Sequence, residues 1–343
     1  MSHIRKLTIE NFKSIREVTL ECERVNIFLG KPNAGKSNIL EAISLLGAGR
    51  GLDSKFMKGF IRYKTLRHCF NDYDVNDAII VSANEVVATL GLFGDGGYRF
   101  SLDSGGHEGQ AVRIDDRNSM KSTLFEIEVG INGEIRSGSA PEYGYFSPVK
   151  KYSFRSLENL VPTEEMAVVN SLLAPHGINF YYIAQSHAEL KAEIQRFLKP
   201  NGLEFLFDVE NQRMDIVRRD ENSLLRFPMA LVPDTFQRYI FHIAAILSNK
   251  DSVILFEEPE THSYAPYVYQ LAQQIAQDER NNQYFLTTHN PYFLLPLLQE
   301  VEDVAVFFTF FENYQTKVRR LSEDEIRSIL NDGIDVFLNL ESV

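Results

Sequence analysis

Eight residues constrain the fold of this chain more than any others: Gly30-Lys31-Pro32-Asn33-Ala34-Gly35-Lys36-Ser37. They follow a mostly apolar run, Val25–Leu29, and precede a segment of helical spacing, Ser37–Leu46, that stops at Gly47. The order strand, glycine loop, helix fills every constant position of the phosphate-loop pattern G-x-x-x-x-G-K-S. Glycines let backbone N–H groups close around phosphate oxygens, and the helix N-terminus adds partial positive charge. Lys36 supplies a point charge for β- and γ-phosphates, and the Ser37 hydroxyl suits a Mg²⁺ shell. Gly30, Asn33, Ala34, Gly35 and Asn38 complete the expected cradle for a nucleotide, ATP with Mg²⁺.

Composition narrows the setting. The chain has 343 residues, 44% hydrophobic and 24% charged, an ordinary globular balance. At roughly 150 residues per domain this suggests about two structural units. Two cysteines, Cys22 and Cys69, cannot build a disulfide framework or a four-cysteine zinc site, so a reducing cytoplasm is expected. No apolar run reaches the roughly 18 residues of a membrane span, and the start lacks a signal core. A net charge of −12 argues against general attraction to nucleic acid. One local stretch differs: Arg50, Lys55, Lys58, Arg62, Lys64 and Arg67 lie against a single acid, Asp53. It is read as a solvated helix face or loop, with a DNA contact as the alternative.

Along the chain, Thr8–Ile9 and Val18–Leu20 read as an early strand meander. Residues 78–135 carry short β-like runs broken by glycines at hairpin-turn positions. Residues 155–200 suggest two or three helices, among them Ala188–Leu198, and a hairpin is expected around Asn211-Gln212. The last third returns to α/β alternation. Asp234 and Thr235 are expected to cap a helix with apolar face Phe236, Tyr239, Ile240, Ile243 and Leu247. Val253–Phe256 and Tyr284–Thr287 read as buried strands. Asn290-Pro291 opens another helix, and Ser322-Glu323-Asp324-Glu325 is a capping-box start. The expected division is 1–100 for the N-terminal part of a core, 101–226 for a β/helical insert and 227–343 for the rest of the core.

Two further constellations carry chemistry. Glu257-Glu258-Pro259-Glu260 follows the strand Val253–Phe256, and the C-terminal ends of parallel strands are where such sheets bind ligands. Adjacent strand residues point in opposite directions, so the two acids take different tasks. Glu257 would hold Mg²⁺, directly or through water, and Glu258 would orient or deprotonate the attacking water. Glu260 is the next candidate base. Thr287-Thr288-His289-Asn290 ends the neighbouring strand, from which His289 could reach the γ-phosphate or that water.

These motifs together resemble the ABC-type ATPases, and more closely their OLD-like (overcoming lysogenisation defect) and RecF/SMC-like branch. Leu7-Thr8-Ile9-Glu10-Asn11-Phe12-Lys13-Ser14 resembles the first strand pair of that branch. The likeness covers about residues 4–47 and 227–298. It implies an α/β phosphate-loop NTPase fold of ABC type, with a mixed sheet, an antiparallel β-lobe and a helical insert. It also implies Lys36, Ser37 and Lys13 at the nucleotide, Glu257 as the Walker B acid, Glu258 and His289 as catalytic residues, and residues 259–262 facing a partner subunit. Pro233-Asp234-Thr235-Phe236-Gln237-Arg238 stands where relatives carry a signature loop, without its serine and glycines. Asp234 and Thr235 would there meet the γ-phosphate bound to a second copy. Only 54 residues follow His289, too few for the nuclease domain of full-length OLD proteins, so a nuclease is expected as a separate protein.

The leading expectation is an ATPase that forms a homodimer or higher homo-oligomer around ATP and controls DNA or a separate effector, in DNA repair or anti-phage defence. An ATP-binding switch or scaffold with little hydrolysis is the alternative. A small-molecule kinase is disfavoured, since no lid-like arginine cluster or acceptor site is recognisable.

Overall fold

A computed structural model describes residues 3–48, 55–94, 96–105, 122–138 and 148–331. Its N-terminal hairpin joins β1 (Lys6–Phe12) to β2 (Ile15–Glu21), and β3 (Val25–Leu29) leads through the phosphate loop into α1 (Lys36–Ser44). β4 (Ile79–Ala83), β5 (Val86–Phe93), β6 (Gly97–Ser104), β7 (Ser122–Val129) and β8 (Ile135–Ser137) extend that hairpin into an antiparallel sheet of order β2-β1-β4-β5-β6-β7-β8. After β9 (Val149–Tyr152) come α2 (Phe180–Ser186), α3 (Ala188–Leu198) and a three-stranded sheet of β10 (Leu203–Asp208), β11 (Arg213–Asp220) and β12 (Ser223–Pro228). The chain ends in α4 (Asp234–Ser248), β13 (Val253–Glu257), α5 (Ala265–Ala276), β14 (Gln283–Thr287), α6 (Pro291–Glu300), β15 (Val304–Glu312), β16 (Gln315–Arg320) and α7 (Glu323–Asn331).

The central sheet has the order β16-β15-β3-β14-β13-β9, with β3, β9, β13, β14 and β15 mutually parallel and β16 antiparallel at one edge. Parallel strands covered on both faces read as near-continuous apolar runs. β3 and β14 are accordingly buried at every position. Alternate residues serve two cores. Ile27, Ile254, Phe256, Tyr284 and Leu286 pack with α4, α5 and α6, while Phe28, Leu255, Phe285 and Phe307 pack with α1 and the antiparallel sheet. On that second face Phe28 stacks on Phe307 at 5.2 Å between ring centroids.

Several expected elements stand where the sequence places them, among them β3, β13, β14, α3 and the hairpin β10–β11. Asn290 caps α6 by accepting the Tyr292 N–H, and Ser322 and Glu325 exchange both bonds of a capping box. The start of α4 corrects an expectation. Pro233 is the N-cap residue, and neither Asp234 nor Thr235 caps the helix through its side chain. Asp234 is the first helical residue, and its carboxylate accepts from Arg238 Nε one turn on, at 2.7 Å. Gln237 organises this start instead: its Oε1 accepts the Leu157 N–H, and its Nε2 donates to Met229 O and Val232 O.

Three strands fall outside those read as strands from the sequence. β9 lies within 101–226 yet pairs in parallel with β13, and β15 and β16, inside 227–343, continue the central sheet beside β3. The antiparallel sheet likewise runs unbroken through residue 100, inside β6.

Candidate nucleotide site

β3, β14 and β13 are adjacent and parallel, so their C-terminal ends share one edge of the sheet. The phosphate loop leaves the first, Thr288-His289 the second and Glu258 the third. Topology alone therefore gathers three motifs that are up to 259 residues apart in sequence (289 − 30).

The loop's backbone is tightly determined. Gly30 has φ 147° and Gly35 φ 101°, values that favour glycine. A Cβ on Gly30 would lie 2.0 Å from Thr309 O, and one on Gly35 would lie 1.9 Å from Thr316 Oγ1. Thr316 also donates to Ala34 O at 3.0 Å and bonds Ser14 Oγ at 2.7 Å, which in turn accepts from Asn38 Nδ2 at 2.7 Å. The hairpin β15–β16 and the β1–β2 turn thus brace the cradle from behind. Asn38 is placed as a brace of the loop, and Asn33 adopts φ 63° within it.

Lys36 is buried, its ammonium donating to Gly30 O at 2.7 Å and Lys31 O at 2.9 Å. Burial lowers its pKa, and the nearby Glu258 and Glu257 carboxylates oppose the shift without cancelling it. The Ser37 hydroxyl bonds the Glu257 carboxylate. Burial pushes the Glu257 carboxyl up, but Lys151, Ser37 and Arg62 together hold it below the ordinary value. Glu258 takes a left-handed φ of 44°, with its N–H on Thr287 O and Thr287 Oγ1, both at 3.1 Å. Strained non-glycine backbone of this kind persists only where its surroundings over-determine it. The turn brings Glu258 Oε1 to 3.4 Å from His289 Nε2. Burial first, and then the Lys36 charge, lower the His289 pKa against the pull of Glu258, favouring a neutral imidazole.

Glu260 behaves differently from its neighbours. It is 7% exposed, and its Oε1 accepts from Thr288 Oγ1 at 2.5 Å and the His289 N–H at 3.1 Å. Burial raises its pKa to about 7. It ties the turn after β13 to the tip of β14 and is turned away from the role of a second base.

Other expected positions are placed elsewhere. The Lys13 ammonium is paired with the fully buried carboxylate of Glu41 on α1. Arg62, grouped by sequence with a basic stretch, donates from Nε to Glu41 Oε1 at 2.6 Å and reaches Glu257 Oε1 at 3.6 Å with Nη2. Among the described residues no hydrogen bond or ion pair joins Asp234 or Thr235 to Lys36, Glu257, Glu258 or His289. Arg50 and Asp53 lie outside the described residues. Sequence reasoning missed Lys151, whose ammonium lies 3.3 Å from Glu257 Oε2. Its only signal is a pair of lysines, Lys150-Lys151, between Val149 and Tyr152.

Among the described residues no group of three or more His, Cys, Asp or Glu side chains could hold a metal unaided. Mg²⁺ characteristically binds through one or two protein oxygens plus substrate phosphates. Ser37 and Glu257, two hard-oxygen donors in contact beside the phosphate loop, fit that description.

Residues 25–295 match the family described as "AAA domain, putative AbiEii toxin, Type IV TA system". The chain belongs to this AAA-domain family. Over 355 aligned positions this AAA-family chain is 22% identical to a Helicobacter pylori protein named ATP/GTP phosphatase, covering 94% of the chain and 93% of the relative. It is 34% identical over 83 residues to the DNA replication and repair protein RecF of a Thermoanaerobacter species, covering 24% of the chain and 21% of RecF. Among solved structures, an Smc head bound to the C-terminal winged-helix domain of ScpA superposes with a TM-score of 0.52 at 12% identity, over 94% of this chain and 99% of that one. A Pyrococcus furiosus Smc head with an extended coiled coil, bound to the C-terminal domain of ScpA, gives 0.50 at 13% identity, over 97% and 99%. The fold is that of an ABC-type ATPase head.

Proposed function

We propose that this chain binds ATP with Mg²⁺ and hydrolyses it in a site completed by a second copy, and that closure of the pair controls DNA or a separate effector protein. The observation that carries the reading is the meeting of Glu258 and His289 at 3.4 Å, beside the phosphate-loop lysine whose charge both groups feel. In this reading Lys36 and the loop amides bind the β- and γ-phosphates. Mg²⁺ at Ser37 and Glu257 would supply charge neutralisation of the phosphates. Glu258 orients and deprotonates water, and neutral His289 positions it or the γ-phosphate. The name of the Helicobacter pylori relative supports hydrolysis, and the RecF likeness supports work on DNA. The OLD-like branch, a setting in DNA repair or anti-phage defence, and cytoplasmic residence belong to the same proposal. Among the described residues no helix is long and apolar enough to cross a membrane.

The second copy is needed because α4 would present its N-terminus to another chain's phosphate. Pro233 and Asp234 are exposed and Thr235 is half-buried. Free amides and the positive dipole end suit an anion, and Arg238 draws the Asp234 carboxylate back along the helix. Two-fold pairing then completes both sites. Thr235→Arg is expected to leave ATP binding unchanged and prevent pairing, read by light scattering after size exclusion with ATP present. A dimer that persists in this variant would remove α4 from the interface. Phosphate release decides the enzymatic part: turnover absent with ATP and Mg²⁺, despite binding, would favour the switch or scaffold.

A DNA contact, if made through the basic stretch, falls to Lys55, Lys58 and Lys64, which are exposed, rather than to Arg62. Charge reversal of those three to Glu is expected to abolish DNA binding. In the native protein log affinity should fall linearly with log salt as counterions are released. Salt-insensitive binding, or binding that survives reversal, would place DNA elsewhere.

A further inference from the structure

We propose that Lys151 is a built-in counter-cation of Glu257 that weakens capture of free Mg²⁺ there, so that the metal enters with the triphosphate instead of ahead of it. The inference rests on the nucleotide reading above and adds a residue that no motif supplies.

The geometry is specific. Register pairs Lys151 with Leu255 and Tyr152 with Phe256, two residues and one residue short of Glu257, and the Lys151 side chain reaches Glu257 from there. The Lys151 side chain is 3% exposed, with Nζ 3.3 Å from Glu257 Oε2 and 3.1 Å from Phe60 O. The other oxygen, Oε1, faces Arg62 Nη2 at 3.6 Å. Each oxygen of the acid expected to serve the metal therefore already faces a protein cation. The two cations differ in freedom. Arg62 is 68% exposed although anchored on Glu41, whereas Lys151 is enclosed.

A divalent cation approaching Glu257 meets attraction from one carboxylate and repulsion from an enclosed ammonium. Charges a few ångströms apart in a partly desolvated site interact strongly enough to change an equilibrium by an order of magnitude. A triphosphate alters this balance by bringing its own negative charge to the Lys36 side of the site. Lys151 then opposes the free ion much more than the ATP-bound one. A purely structural lysine would affect folding stability and leave the metal dependence alone.

The test uses the full chain in a Glu258→Gln background, so that ATP persists. ATP binding is titrated against MgCl₂, and Mn²⁺ binding without nucleotide is followed by electron paramagnetic resonance. Lys151→Met is expected to make nucleotide-free Mn²⁺ binding about tenfold tighter and to lower the Mg²⁺ midpoint for ATP binding by a much smaller factor. Lys151→Arg should restore the native values. Should Lys151→Met fail to fold, Arg62→Met removes charge from the other oxygen, with Lys13 still on Glu41, and should shift both readouts the same way by a smaller factor. A folded Lys151→Met variant that still binds ATP, with nucleotide-free Mn²⁺ affinity unshifted or shifted no more than the ATP-bound midpoint, overturns the role of Lys151 alone. A native protein that binds no ATP at any Mg²⁺ concentration overturns the nucleotide reading, and this inference with it.

Discussion

Glu258→Gln is expected to keep ATP binding while slowing phosphate release by roughly 10²–10⁴-fold, the size of a general-base contribution, and to accumulate an ATP-bound dimer. The substitution preserves shape and removes the ability to take a proton. The left-handed turn that aims Glu258 is set by backbone and hydroxyl contacts to Thr287, so the amide should occupy the same place. No neighbouring acid can easily substitute. Glu257 is engaged by Ser37, Lys151 and Arg62, and Glu260 is buried against Thr288 and the His289 N–H. Single-turnover phosphate release and light scattering with saturating ATP make the measurement. Near-native turnover would move the base elsewhere, and a protein that stays monomeric would reject a site shared between two copies of this chain alone. Because burial and Lys36 depress the His289 pKa, the imidazole stays neutral to lower pH than an ordinary histidine. On acidification, activity that needs the neutral imidazole should accordingly be kept until the pH falls below the usual histidine range.

The two strand tips and the loop were legible because each follows a run buried on both faces. Val25–Leu29, Val253–Phe256 and Tyr284–Thr287 are apolar almost throughout, and a motif begins where each stops. Parallel pairing then brings the three ends together. What could not be read depends on partners far along the chain. β9 contains Lys150 and Lys151, poor candidates for a buried strand from sequence. Lys150 is accommodated by Asn249 and Ser171, and Lys151 by Phe60 O and Glu257. The brace behind the phosphate loop has the same character: Thr316 contacts Ala34 and Ser14 from nearly three hundred residues away. Arg62 and Lys13 looked available for phosphate or DNA because Glu41, on the opposite side of α1 from the solvent, carries no signal of being their common partner. Charge in sequence shows which ions are present, whereas burial decides which ones are already paired.

Lys36→Ala should then weaken Mg²⁺-dependent ATP binding by on the order of 10²-fold, about 2.7 kcal/mol, as expected when a charged donor to phosphate is removed. The ammonium lies on Gly30 O and Lys31 O. Burial favours release of its proton, and the carboxylates of Glu257 and Glu258 work against that release. Triphosphate would exchange those carbonyls for phosphate oxygens of full negative charge, a gain that alanine cannot reproduce. The fold should survive the change, because the loop does not depend on this side chain: Thr316 holds Ala34 O, and Asn38 is tied through Ser14 to the same threonine. Lys36→Met retains most of the aliphatic stem and should lose affinity to a similar degree, which separates charge from packing. Calorimetric titration with ATP and Mg²⁺, alongside thermal unfolding without nucleotide, provides both readings. A folded variant with native affinity would mean that the loop amides and helix dipole carry the phosphate alone, and that Lys36 serves only to close its own loop.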